Sequence, residues 1–228
     1  MRRVYAVVEG STEEGFVKAV LRPHLLSLKV AIEPIIVTTK RDRLTGQKLG
    51  KGGGRWLHWR DDLKRIIGDQ TAPEVRFTTM FDLYGLPSDF PGREKHAAVA
   101  DTNVRADLLE QELREAIDDV RLIPYLQRHE FEALVVAGLQ KLDGLLDAAD
   151  DVAALKGLQA ELAGLQPEDV NDGPETHPSK RLLRIGGYQK TLHGPLVTEE
   201  VGIAVLRAAC PRFSAWVAKL EALGQGSI

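Results

Sequence analysis

The sequence predicts an α/β protein: a mostly parallel sheet flanked by helices, with a helical C-terminal extension. Three observations predict it. Short runs rich in β-branched and aromatic residues alternate with stretches of helical periodicity through residues 1–138, an order that implies parallel strands joined by right-handed crossovers. Acidic residues follow the ends of three of those strand-like runs, where ligands gather in open parallel sheets. Beyond residue 138 the pattern is helical only, so we divide the chain into an α/β part, 1–138, and a helical part, 139–228, packed on it.

Residues 3–8 are β-branched and aromatic and read as a buried strand. Glu9 and Gly10 break it. Ser11 or Thr12 then caps a helix with Glu13 and Glu14 in its first turn, and that helix is expected to end before Pro23. Ile32 to Thr39 reads as the second strand, and Lys40 to Arg55 as a basic, glycine-rich loop. Trp56 to Ile67 has helical periodicity through Trp59, Leu63 and Ile66, so both tryptophans are expected in the core. Val75 to Phe81 reads as the third strand, Ala97 to Asp118 as a long helix, and Val120 to Gln127 as the fourth strand. A helix is expected to begin in Glu130–Ala137. Leu139 to Leu165 reads as helices, Asn171 to Arg181 as a polar loop with Ser179 capping the next helix, and Thr198 to Leu223 as one or two amphipathic helices.

With 228 residues, 43% apolar and 28% charged, the chain can bury its own core without a staple. A formal charge of -3 neither requires nor excludes a nucleic-acid partner. The single cysteine, Cys210, excludes an intrachain disulfide and reads as a small buried apolar group. The N-terminal residues lack the features of a signal peptide, and no run is long enough to cross a membrane, so a cytoplasmic protein is expected.

Glu9, where a strand turns into a helix, suits a metal ligand or a general acid/base; the plainer role is an acid placed at the positive end of a helix. Asp82 ends an apolar strand, and hard divalent cations take carboxylate oxygens. Asp89 lies in the same turn-rich loop. Glu130 and Glu132 follow the fourth strand two positions apart, so one of them is expected to face the site, and Glu130 is nearer the strand end. Glu13 stands one turn beyond Glu9. His129-Glu130 lacks the second histidine of a zinc protease helix. The basic residues Lys40, Arg41, Arg43, Lys51 and Arg55, with Lys180 and Arg181, are the candidate phosphate contacts. The glycine-rich loop lacks the Gly-Lys-Ser/Thr of a phosphate-binding loop.

The run Val8-Glu9-Gly10-Ser11-Thr12-Glu13 resembles the first motif of TOPRIM domains, closest to that of the overcoming-lysogenization-defect nucleases. The blocks Asp82–Gly92, Pro124–Leu134 and Asn171–Arg181 look like those of an uncharacterised bacterial TOPRIM-like family. The resemblance implies a Rossmann-like sheet, a glutamate after the first strand and an Asp-x-Asp pair after the third that holds magnesium. Glu9 and Asp82 match the motif; Tyr84 stands where the second aspartate is expected, so Asp89, Glu130 or Glu132 would have to substitute. It further implies a magnesium- or manganese-dependent nuclease, with Glu9, Asp82 and Glu130 catalytic. DNA is expected before RNA, with an ATPase of the ABC or AAA type as companion and a role in phage defence. The alternative is a non-catalytic module that binds nucleic acid or the ATPase. Oligomeric state leaves no mark in the sequence.

Overall fold

A computed structural model describes residues 1–37, 54–170 and 176–225. Strand β1 (Arg2–Val8) leads into α1 (Ser11–Phe16), which runs through a π-helical stretch, Val17–Leu21, into α2 (Arg22–Ser27). The order continues with β2 (Val30–Ile36), α3 (Trp56–Gly68), β3 (Arg76–Asp82), α4 (Thr102–Ile117), β4 (Leu122–Ile123) and β5 (Leu126–Gln127). Then come α5 (Glu132–Ala137), a 3-10 stretch (Leu139–Leu145), α6 (Ala149–Glu161) and a short 3-10 turn (Pro167–Asp169). The chain closes with α7 (Pro178–Leu182), α8 (Lys190–Val201), α9 (Ile203–Ala209) and α10 (Pro211–Gln225). Among the described residues no helix is long and apolar enough to cross a membrane.

The sheet is parallel, in the order β2-β1-β3-β4, with β5 beside the end of β3. Alternate residues of β1 face opposite sides. Val4, Ala6 and Val8 join one core with Phe16 of α1, Leu155 of α6 and Phe213, Trp216 and Leu220 of α10. Val7 joins the other, with Phe77 and Phe81 of β3, Trp59 and Leu63 of α3 and Leu109 and Leu113 of α4. Each such fully buried side chain stabilises by roughly 1.5–3 kcal/mol. Both tryptophans of α3 belong to packing, as expected. Trp59 meets Phe81 edge-on at 4.7 Å and Trp56 meets Phe90 at 5.0 Å. Cys210 is fully buried.

Four elements differ from the sequence expectation for identifiable reasons. The first helix does not stop before Pro23. The wider π turn precedes it, and Pro23 sits at the start of α2, where a missing N–H is tolerated. No side chain caps α1: Gly10 occupies the cap position. The fourth strand is not continuous from Val120, which is 98% exposed. Pro124 interrupts it, and Thr79 bridges the gap: its Oγ1 donates to the Tyr125 carbonyl and accepts from the Tyr125 N–H, both at 2.9 Å. Helix α4 starts at Thr102, not Ala97, because Asp101 caps it, accepting from the N–H groups of Asn103 (2.8 Å) and Val104 (3.3 Å). Helix formation near the C-terminus begins at Lys190, ahead of Thr198, with Pro195 carried inside α8.

Candidate functional site

Register brings the acids together. Val8 pairs with Met80, and Asp82 with Gln127, so the ends of β1, β3 and β5 lie along one edge of the sheet. Glu9 follows β1 and its Oε1 accepts the backbone N–H of Asp82 at 2.7 Å. Asp82 Oδ1 in turn accepts the N–H of Phe131 at 2.8 Å. The chain passes close to Glu9 at Gly85, where an added Cβ would lie 3.0 Å from Glu9 Oε2. Any side chain there would press on the carboxylate.

Glu130 Oε2 accepts from Ser179 N–H at 3.0 Å and lies 2.9 Å from His177 Nδ1. Ser179 therefore serves Glu130; His177, not Ser179, occupies the cap position of α7. Glu132, which the i, i+2 spacing set apart from Glu130, is fully buried and pairs with the Lys190 ammonium, whose Nζ lies 2.9 Å from Oε1 and hydrogen-bonds Oε2 at 3.0 Å. Glu13 is buried on α1. So Glu130 and Glu132 are both held by residues of the helical part, on different partners.

These five carboxylates and one ammonium share a field. Glu9 and Asp82 keep some accessible surface yet are crowded on almost all sides, as groups at the bottom of a crevice are. Burial pushes the Glu9 carboxyl up to about 8, with Glu13 and Glu130 adding and the Asp82 N–H and Lys190 opposing. Burial also holds Asp82 well above the usual carboxylate range, and the charges of Glu9 and Glu13 raise it further. Glu132 is raised by burial against the pull of Lys190. Burial works against the charge of Lys190, but Glu132 and Asp82 outweigh it and hold the ammonium above its ordinary range. Tyr188 is almost fully buried, its hydroxyl has no hydrogen-bond partner among the described residues, and it feels Glu132, Lys190 and Glu130.

Tyr84 stands at the mouth, its ring 5.3 Å from that of His129 and 6.2 Å from that of His177. His129 adopts φ 64, and its carbonyl accepts the Tyr84 N–H at 3.2 Å. Its imidazole falls to about 4, first through burial and then through Arg128, so it is neutral at pH 7.

The other expected residues lie elsewhere. Asp89 accepts the Trp56 N–H at 2.8 Å and sits 3.7 Å from Arg55, so it holds the start of α3. Arg181 is buried, donating to Glu161 and to the Thr176 carbonyl. Arg55 and Lys180 are exposed. Lys40, Arg41, Arg43 and Lys51 lie outside the described residues. Among the described residues no three His, Cys, Asp or Glu side chains converge to hold a metal ion.

Lys190 and Tyr188 were not legible as site residues. Lys190 reaches Glu132 across 58 positions. One local oddity marks it: a lysine as first residue of α8 opposes the helix dipole, and the misfit is resolved only by the acids it faces.

The sequence matches the family described as Domain of unknown function (DUF4276) over residues 8–221, and the chain belongs to that family. No curated protein matches it. Among solved structures, the C-terminal region of the Burkholderia pseudomallei OLD protein is similar over 98% of this chain and 99% of that one, with 16% identity and a TM-score of 0.46. The C-terminal region of the Xanthomonas campestris pv. campestris OLD protein is similar over 95% and 96%, with 15% identity and a TM-score of 0.36.

Proposed function

We propose that the chain is a TOPRIM-like phosphoryl-transfer enzyme, a magnesium- or manganese-dependent nuclease acting on nucleic acid, DNA before RNA. One observation carries this reading. Glu9, Glu13, Asp82, Glu130 and Glu132 gather at the C-terminal edge of a parallel sheet with Lys190 as the ammonium set against them. So much buried negative charge is balanced by protons or by a cation.

The donor set fits such an ion. Magnesium takes carboxylate oxygens, keeps several waters and is held by one or two carboxylates together with substrate phosphates, not by an all-protein cage. Glu9 and Asp82 each place only one oxygen on a backbone N–H, so oxygens remain to meet a cation. When bound, the ion supplies charge to the scissile phosphate and lowers the pKa of its water. Glu9, with its carboxyl near 8, can exchange a proton at physiological pH. Lys190 restrains the acids from repelling one another apart. The exposed cations Arg55 and Lys180, with Lys40, Arg41, Arg43 and Lys51, would steer the phosphate backbone. An ABC- or AAA-type ATPase companion and a place in phage defence belong to the same reading, supported by the sequence resemblance.

The test is cleavage of plasmid and single-stranded DNA with magnesium or manganese, with and without the genomic ATPase neighbour. Glu9→Gln should lower the divalent-dependent rate by about 10²–10⁴-fold while far-UV circular dichroism is unchanged. Undiminished cleavage by Glu9→Gln removes Glu9 from the mechanism. A second reading has its own support: Tyr84 in place of an acid and the absence of three convergent groups among the described residues favour a module that binds nucleic acid or an ATPase without cutting. Binding without divalent-dependent cleavage, with the neighbour present, decides for it.

A further inference from the structure

On the α4 side of the sheet lies a pocket of about 220 Å³ lined by Leu83, Tyr84, Leu86, Ala97, Leu109 and two arginines, Arg93 and Arg105. Leu83, Leu86 and Leu109 belong to the core on the α4 side of the sheet, and Tyr84, whose phenol feels the charge of Glu130, links the pocket to the acids. Its size suits one planar group of one or two rings. Leu83, Leu86 and Leu109 are buried and supply an apolar floor, and Tyr84 supplies an aromatic wall.

The two arginines differ. Arg93 is engaged by its own loop, donating to the carbonyls of Leu86 and Pro87. The Arg105 guanidinium has no hydrogen bond or ion pair among the described residues, although α4 holds its backbone through the Asp101 carbonyl. Its charge is the strongest acting on the Tyr84 phenol, ahead of Glu130 and Arg128. An aromatic wall, an apolar floor and an unengaged guanidinium recognise a flat ring that carries a phosphate.

We infer that this pocket takes one unstacked nucleotide of the bound strand, its base against Tyr84 and its phosphate on Arg105. The inference rests on the nucleic-acid reading above and adds to it the substrate form: a base can enter only after leaving its stack, so single strands and frayed ends are preferred over closed duplex. Tyr84 then becomes a binding residue where an acid was expected.

The experiment is fluorescence anisotropy in EDTA, which separates binding from cleavage. The probes are a short labelled oligothymidylate, the same backbone with abasic sites throughout, and a blunt duplex of equal length. Oligothymidylate should bind about tenfold tighter than the abasic strand and tighter than the duplex. Tyr84→Ala should remove most of the difference between thymidylate and abasic strands, while Tyr84→Phe keeps it. Arg105→Gln should weaken both strands alike and flatten the salt dependence. Thermal melts of each variant identify loss of fold, and Arg105→Gln, at a partly exposed helix position, carries the test where Tyr84→Ala does not fold. Equal affinity for abasic and thymidylate strands, preference for duplex, or no binding at all overturns the inference. Divalent-dependent cleavage without a base effect overturns it and leaves the nuclease reading standing. A base effect without cleavage does the reverse.

Discussion

Two buried charge clusters in this molecule are built in opposite ways. Around Arg212 every acid has a donor: the guanidinium reaches Glu110, Asp107 at 2.5 Å and the Leu126 carbonyl at 3.1 Å. Glu110 also accepts the Leu126 N–H at 2.9 Å, and Glu168 accepts the N–H groups of Arg212 and Phe213 at 2.9 and 3.0 Å. Burial raises Glu110 and Glu168, but these donors oppose it. That cluster joins α10 to β5 and α4. At the strand ends Glu9, Asp82 and Glu130 also accept backbone N–H groups, but the full cation set against these three, Glu13 and Glu132 is the Lys190 ammonium. The difference teaches that burial of charge by itself does not set the two clusters apart; the proposed site is distinguished by charge of one sign, poorly matched, at a strand edge.

The largest effect expected is on the matched cluster. Arg212→Ala leaves Glu110 and Asp107 without their cation and should cost about 3–5 kcal/mol, lowering Tm on the order of 10 °C. A change of only a degree or two would mean the Arg212 network is not what ties α10 to the sheet. Lys190→Met should cost less, roughly 1–3 kcal/mol, because the lysine side chain is 39% exposed while Glu132 is buried. Its loss should grow as pH rises from 5 to 8, as more of the acids would ionise unopposed; a pH-independent loss of Tm would argue for packing alone.

Glu9→Gln should act with the opposite sign, and its effect should vanish at low pH. A carboxyl raised from 4.5 to about 8 holds its proton more tightly folded than unfolded. The stability it lends is fully present below about 4.5 and is lost as pH rises through about 8. Glutamine is a neutral stand-in for the protonated form, so Tm of the variant should exceed that of the parent at pH 8.5 and match it below about pH 4.5. A Tm below the parent's at pH 8.5 would show that Glu9 is held as a carboxylate, and the crevice would then be better balanced than its geometry indicates.

The alternation of Val4, Ala6, Val8 against Val7, and the helical spacing of Trp59, Leu63 and Ile66, made the parallel α/β core legible from residue order alone. These are local periodicities, and burial follows them. Glu9, Asp82 and the Glu130–Glu132 block were legible for the same reason, because strand ends can be read off the pattern. The boundaries differ from the local pattern near Pro23, Pro124 and Pro195. The structure accommodates each through something distant or unusual: a π turn, the Thr79 hydroxyl, or a helix continued through proline.

Sequence by itself therefore determined the sheet, its direction and the acids at its edge, since each depends on neighbours within a few residues. Only tertiary structure decided how those acids are divided. Glu9 is tied to Asp82, Glu130 to His177 and Ser179, and Glu132 to Lys190, across 73, 47, 49 and 58 positions. It also decided that Asp89 and Arg181 serve the scaffold and that Tyr84 faces an arginine-lined pocket. Pairings at such separations arise from how helices pack on the sheet, and no local pattern encodes them.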